Sequence, residues 1–123
     1  EPSNMFCVEC GAKNPKWASV TFGALLCLSC CGNCRDLDAG FIFLRSINLD
    51  LWKHHQIRMM QQGGNAKLKQ FLQQYDLNAN ISIDEKYLSR AAAYYRKKLR
   101  AEVLCETFTD PEPEYEQGRQ PLQ

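Results

Sequence analysis

The chain has 123 residues, 45% of them apolar and 24% charged, and a formal net charge of +1. That length fits one domain with a modest core that a metal staple would support. The near-neutral balance excludes a global basic field aimed at nucleic acid, and no apolar run approaches the length of a membrane span. The opening Glu1-Pro2-Ser3-Asn4 lacks the basic and apolar regions of a signal peptide. With no Met at its start, the sequence is read as a fragment. Seven cysteines in such a chain suit a reducing compartment.

Residues 1–6 read as a leader. Cys7-Val8-Glu9-Cys10 forms a first knuckle, and Gly11 supplies the tight turn after it. Trp17 to Phe22 favours a strand, Gly23 breaks it, and Ala24 to Leu26 returns as a second strand. The hairpin is expected to deliver the second knuckle, Cys27-Leu28-Ser29-Cys30, beside the first. A helix is expected from Cys27 to about Asp38, and a third strand over Phe41 to Leu44. Asp50 reads as the N-cap of a helix through Gln62, with Gly63 as its stop.

Asn65 reads as the cap of a further helix to about Tyr75, with Leu68, Phe71, Leu72 and Tyr75 on one stripe. Ser82-Ile83-Asp84-Glu85 matches a capping box and opens the longest helix, to about Leu104. Its apolar face is Leu88, Ala91, Ala92, Tyr95 and Leu99. Lys86, Arg90, Lys97, Lys98 and Arg100 lie mostly off that face and read as solvated. Residues 109–123 are proline-rich, acidic and poor in apolar side chains, which predicts a disordered tail. The expected organisation is a domain over 1–108 and a tail over 109–123. The expected fold class is α+β: a small four-cysteine zinc-finger domain with a short antiparallel sheet surrounded by helices.

Two Cys-x-x-Cys knuckles separated by sixteen residues are the pattern of a four-thiolate zinc site. Cys7, Cys10, Cys27 and Cys30 would close a tetrahedral shell, leaving no position for substrate, so the zinc would be structural. Cys31-Gly32-Asn33-Cys34 is itself a Cys-x-x-Cys, and Cys7, Cys10, Cys31 and Cys34 form an alternative register. His54 and His55 are adjacent, so their side chains diverge on a helix, and neither is needed as a ligand.

The zinc spacing continues into a longer pattern, Cys-x2-Cys-x16-Cys-x2-Cys-x4-Arg with Trp17 in the long spacer. Together with Asn14-Pro15, Trp17-Ala18-Ser19-Val20, Arg45-Ser46, Trp52, Gly63-Gly64-Asn65-Ala66-Lys67, Glu85-Lys86-Tyr87 and Ser89-Arg90-Ala91-Ala92-Ala93, it resembles the catalytic domain of the Arf GTPase-activating proteins, the Golgi-type branch in particular, over roughly residues 5–104. The resemblance implies that Arg35 is an arginine finger, supported by Trp17, and that Arg45 and Asn65 lie among residues that support the finger or meet the partner. Arg45 is expected to serve chiefly as a bridge from the sheet to a helix. It implies an Arf-family small GTPase as partner, with coatomer a candidate second one. GTP and Mg2+ would sit on the partner GTPase. The location implied is cytoplasmic and peripheral at Golgi membranes, reached through the partner or through regions outside this stretch.

The chemistry of a finger can be stated independently. GTP hydrolysis builds negative charge on the transferring phosphoryl group and the leaving oxygens. A planar, permanently charged guanidinium meets that charge at two points, which a lysine does not. Fingers of this kind are worth about 10³–10⁵ in rate, roughly 4–7 kcal/mol.

One segment departs from the family pattern. After Arg35 the chain reads Asp36-Leu37-Asp38-Ala39-Gly40, where relatives place a Ser-Leu-Gly-Val-His-like run. Asp36 and Asp38 put negative charge beside a site that must receive phosphate, which bears on rate and partner preference. Two other readings compete: a zinc scaffold that binds a GTPase or coat protein with weak catalysis, and a GATA-like nucleic-acid-binding finger. The second requires a basic segment after the second knuckle, and the acidic residues there argue against nucleic acid.

Overall fold

The turn that joins the first two strands is where the sheet meets the helices. Gly23 has φ +62°, and a Cβ there would lie 2.6 Å from the Met59 carbonyl oxygen and 3.1 Å from the Gly63 Cα. Glycine therefore serves both the left-handed backbone and the close approach. The computed structural model describes residues 2–35, 42–48, 50–77 and 81–122. The acidic segment 36–40, expected to bear on rate and partner preference, lies outside the described residues.

Strands β1 (Trp17–Ser19), β2 (Ala24–Leu26) and β3 (Leu44–Ser46) form an antiparallel sheet of order β2-β1-β3. Trp17 pairs with Leu26 and Ser46, and Ser19 with Ala24 and Leu44. The hairpin stands as expected, with a shorter first strand. The third strand is displaced from its expected place. Phe43 still bonds across the sheet, its N–H to the Thr21 hydroxyl and its carbonyl to the Val20 N–H, but the ladder proper begins at Leu44.

The helices are α1 (Leu28–Arg35), α2 (His54–Gln62), α3 (Asn65–Gln73), α4 (Ile83–Tyr87), α5 (Arg90–Leu104) and α6 (Tyr115–Gly118). Asp50 does not cap α2, which starts after Lys53. The Asp50 carboxylate instead accepts from the Ser46 N–H at 2.6 Å and closes the end of β3. Gly63 ends α2 as expected, its N–H on the Met59 carbonyl. The cap position of α3 is Gly64, and Asn65 is the first helical residue.

Ser82 does cap its helix, accepting from the Glu85 N–H at 3.1 Å. The expected single helix to Leu104 is broken, however. Ser89 restarts it, its hydroxyl accepting from the Ala92 N–H and donating to the Lys86 carbonyl. A second cap within one apolar pattern competes with helix continuation for the same backbone groups.

Helix α5 packs against α2, α3, α4 and α6. Ala91, Ala92, Tyr95 and Leu99 are buried as expected, and Phe22, Leu26, Leu68, Leu99 and Val103 are the largest wholly buried apolar side chains of the core. The stretch read as a leader and the tail expected to be disordered both carry structure. Pro2–Met5 form a 3-10 turn against α3. The tail folds back through α6: the Tyr75 hydroxyl donates to the Pro113 carbonyl, and Arg119 donates to the carbonyls of Tyr75 and Asp76. Composition predicted disorder because the contacts that order this segment lie far off in sequence, at Tyr75 and Asp76 beyond the end of α3 and on α5.

Candidate metal centre and arginine site

The first knuckle turns on local hydrogen bonds. The Gly11 N–H donates to the Cys7 carbonyl at 3.0 Å and the Cys7 N–H to the Ala12 carbonyl at 2.8 Å. The second knuckle spans the exit of β2 and the first turn of α1. The hairpin joins the two: the Val8 N–H donates to the Leu25 carbonyl at 2.9 Å. The sulfurs of Cys7, Cys10, Cys27 and Cys30 consequently lie within 4.8 Å of one another.

The Cys10 and Cys27 sulfurs are 3.6 Å apart. Bonds of about 2.3 Å to a tetrahedral zinc would put sulfurs about 3.8 Å apart. Four soft donors at such separations fit a thiophilic metal, and the spacing is too long for a disulfide. The backbone N–H of Cys30 favours the Cys27 thiolate and holds that thiol down at about 7, while burial pushes the Cys30 thiol up. Cys31 and Cys34, the other register, are buried in the core and stand outside the cluster.

Behind the first knuckle lies a polar contact that the sequence did not announce. Glu9 accepts from the Lys86 ammonium at 2.7 Å and from the Tyr87 hydroxyl. Lys86, expected on a solvated face, is 4% exposed. Burial, and then the Glu9 charge, push the Tyr87 hydroxyl up, so it remains a donor. An acid inside a knuckle and a lysine seventy-seven residues later share no local pattern, so spacing alone could not pair them.

Arg35 is the last residue of α1 and is exposed. A cation at that end complements the helix dipole. Its guanidinium carbon sits 5.3 Å from the centroid of the Trp17 ring, and one nitrogen donates to the Cys31 sulfur at 3.9 Å. Trp17 is half-buried on β1, with Ser46 beside it across the sheet. Ser46 in turn accepts from the Trp52 indole N–H at 3.1 Å through its carbonyl. The structure thus brings Arg35 and Trp17 together.

Arg45 and Asn65 lie elsewhere. Among the described residues no hydrogen bond ties Arg45 to a helix; its guanidinium carbon stacks 4.3 Å from the centroid of Phe43. Asn65 is 0% exposed and so offers no surface to a partner. Its side-chain oxygen accepts from the Leu25 N–H at 2.7 Å, and its amide donates to the carbonyls of Phe6 and Ser3. Phe6 immediately precedes Cys7, and Leu25 stands two residues before Cys27. Asn65 therefore fixes the separation of the two chain segments that enter the knuckles.

Comparison with known proteins accords with this arrangement. Residues 1–104 match the ArfGap family, described as "GTPase activating protein for Arf". The chain is 46% identical over 101 residues to ADP-ribosylation factor GTPase-activating protein 3 of Pongo abelii, covering 81% of this chain and 19% of that protein. It is 35% identical over 113 residues to ADP-ribosylation factor GTPase-activating protein GCS1 of Saccharomyces cerevisiae, covering 92% of this chain and 32% of that one. The chain therefore spans about a fifth to a third of the length of these relatives. A solved structure from Cryptosporidium parvum, named as a GTPase-activating protein for ADP-ribosylation factor, superposes with a TM-score of 0.65 at 28% identity, covering 85% of this chain and 81% of that one. With a matched family over most of its length and a four-cysteine cluster where the fold converges, the chain belongs to the ArfGap family.

Proposed function

We propose that this domain accelerates GTP hydrolysis on an Arf-family small GTPase by inserting Arg35 beside the transferring phosphoryl group. The observation that carries this reading is the setting of Arg35. It is exposed, lies five residues beyond Cys30, and rests against Trp17 and Cys31. A guanidinium restrained along its stem loses less freedom on reaching its target. In water the charge is worth little; at a phosphoryl group from which the partner's docking excludes water it is worth several kcal/mol.

Cys7, Cys10, Cys27 and Cys30 would hold a structural zinc, the metal that the donor set and its spacing favour. Bound there, the ion would fix the knuckles and take no part in the reaction, since all four positions are filled by protein sulfur. GTP and Mg2+ belong to the partner GTPase. Likeness to the Golgi-type relatives extends the proposal to vesicle traffic at Golgi membranes, with coatomer as a candidate second partner.

The test is single-turnover GTP hydrolysis by a GTP-loaded Arf protein, with the parent domain and with Arg35→Lys, matched for zinc content. The expected result is a large acceleration that falls by about 10³-fold or more in the variant. Acceleration that survives in Arg35→Lys would remove this residue from the mechanism. Binding without acceleration in the parent would favour a scaffold, a reading that the acidic pair Asp36 and Asp38 supports.

A further inference from the structure

A groove of about 780 Å³ runs between α2 and α5, floored by Val20, Thr21 and Phe43 at the far end of the sheet from Trp17. Lys53 and His55 line it from the start of α2, and Arg96, Lys97 and Arg100 from α5. Outside the lining itself, Arg45 stacks on Phe43. No Asp or Glu is among the described residues that line it.

That imbalance is local. The chain as a whole carries 15 Lys and Arg against 14 Asp and Glu. The described ion pairs, Lys67 with Glu102 and Lys86 with Glu9, both lie outside the groove; Arg96 has a partner of its own, and the excess charge is carried by Lys53, Lys97 and Arg100. Even on α5 the cations divide by face: Lys98 shares its side with Glu102 and Glu112, whereas Arg96, Lys97 and Arg100 turn towards α2. Clustered cations in a concave site raise the local potential well above what the net charge suggests and call for a polyanion.

Apolar side chains in the groove and in the chain leading to it are exposed. Phe43 and Leu104 line the groove and are 41% and 38% exposed, and Leu51, two residues before Lys53, is 93% exposed. A soluble phosphate compound has no use for such apolar side chains. A bilayer uses both features, because cations meet the headgroup phosphates while apolar side chains enter the acyl boundary. We propose that the groove between α2 and α5 binds the phosphorylated headgroups of an anionic membrane, so that the domain contacts the bilayer directly. This inference does not depend on the role of Arg35.

Flotation of the zinc-loaded chain with vesicles tests it. Three compositions are compared: phosphatidylcholine alone, phosphatidylcholine with phosphatidylserine, and phosphatidylcholine with a bisphosphorylated phosphoinositide. Binding is expected to both anionic vesicles, not to the neutral one, and to weaken with salt. Each cation near such a surface contributes about fivefold, so the Lys97→Gln/Arg100→Gln pair should weaken binding roughly 30-fold. Lys13→Gln/Lys69→Gln removes the same charge elsewhere and should leave binding within about twofold. Leu51→Ser should weaken vesicle binding while leaving affinity for soluble inositol hexakisphosphate unchanged.

Equal losses from the two charge pairs, or equal binding to neutral vesicles, would overturn the proposal. So would binding of inositol hexakisphosphate without any vesicle binding, or no binding to either. The substituted positions are exposed, and circular dichroism with zinc stoichiometry verifies that each variant is folded.

Discussion

At the scale of single residues, a wholly buried side chain, Asn65, has a wide structural reach. Asn65 bonds to the residue before Cys7 and to the residue two before Cys27. Its own N–H is held by the Asn4 side chain at 2.9 Å. Asn65→Ala would leave the Leu25 N–H and two carbonyls without their partner inside the fold. One buried group left unsatisfied costs about 1–3 kcal/mol, so a loss of about 2–4 kcal/mol is expected in denaturant unfolding. Zinc affinity should fall alongside, because the entering strands lose their spacer. Unchanged stability with unchanged zinc affinity would refute this role. The sequence flagged Asn65 through its resemblance, among residues that support the finger or meet the partner, and did not single out its part between the knuckles. A side chain with one acceptor and two donor hydrogens can cap, cross-link or meet a partner, and only the third dimension selects among these.

At the scale of elements, local chemistry is legible where the determinants are contiguous. Gly23 marks the hairpin turn, Gly63 the end of α2 and Ser82 the start of α4, each by a backbone requirement carried by the residue itself. The failures share a different cause. Asp50 satisfies the chemistry of a helix cap yet serves β3, and Ser89 is hidden inside an apolar pattern that continues through it.

The tail is the clearest case, because the contacts that hold it to the domain come from partners distant in sequence. A Cβ at Gly118 would lie 2.3 Å from a ring carbon of Tyr75 and 3.2 Å from the Ala91 Cβ. Tyr75 is buried and its hydroxyl is committed to Pro113, so the ring has little room to yield. Gly118→Ala should therefore lift α6 off the domain at a cost of about 1–3 kcal/mol. Limited trypsin digestion reads the event at Arg119, which the parent holds against α3's end. Equal cleavage rates in parent and variant would show that the tail contributes no protection.

At the scale of the whole molecule, the cysteine cluster lies where distant parts of the chain converge. The first knuckle precedes the sheet in sequence, the second opens α1, Glu9 ties the cluster region to α4, and Asn65 ties it to α3. The cysteine spacing was legible because four ligands at fixed intervals rarely arise otherwise, whereas the buried ion pair that supports them was not. A single metal in this cluster would close loops spanning residues 7–30, and the surrounding core is modest for 123 residues. Binding free energy at such sites is folding free energy, about 10–16 kcal/mol in small zinc domains at neutral pH. That exceeds or matches the roughly 5–15 kcal/mol by which a typical domain is stable. Chelation should therefore abolish the cooperative thermal transition, and Glu9–Lys86 should not rescue it, because a buried ion pair repays little beyond its own desolvation. Calorimetry before and after chelator, followed by zinc readdition, makes the comparison. Recovery of the transition on readdition would identify the metal as the missing term. A transition that persists in chelator, with zinc loss verified by elemental analysis, would mean that the helices around α5 form the stable unit and that the metal only orders Arg35 and its surroundings.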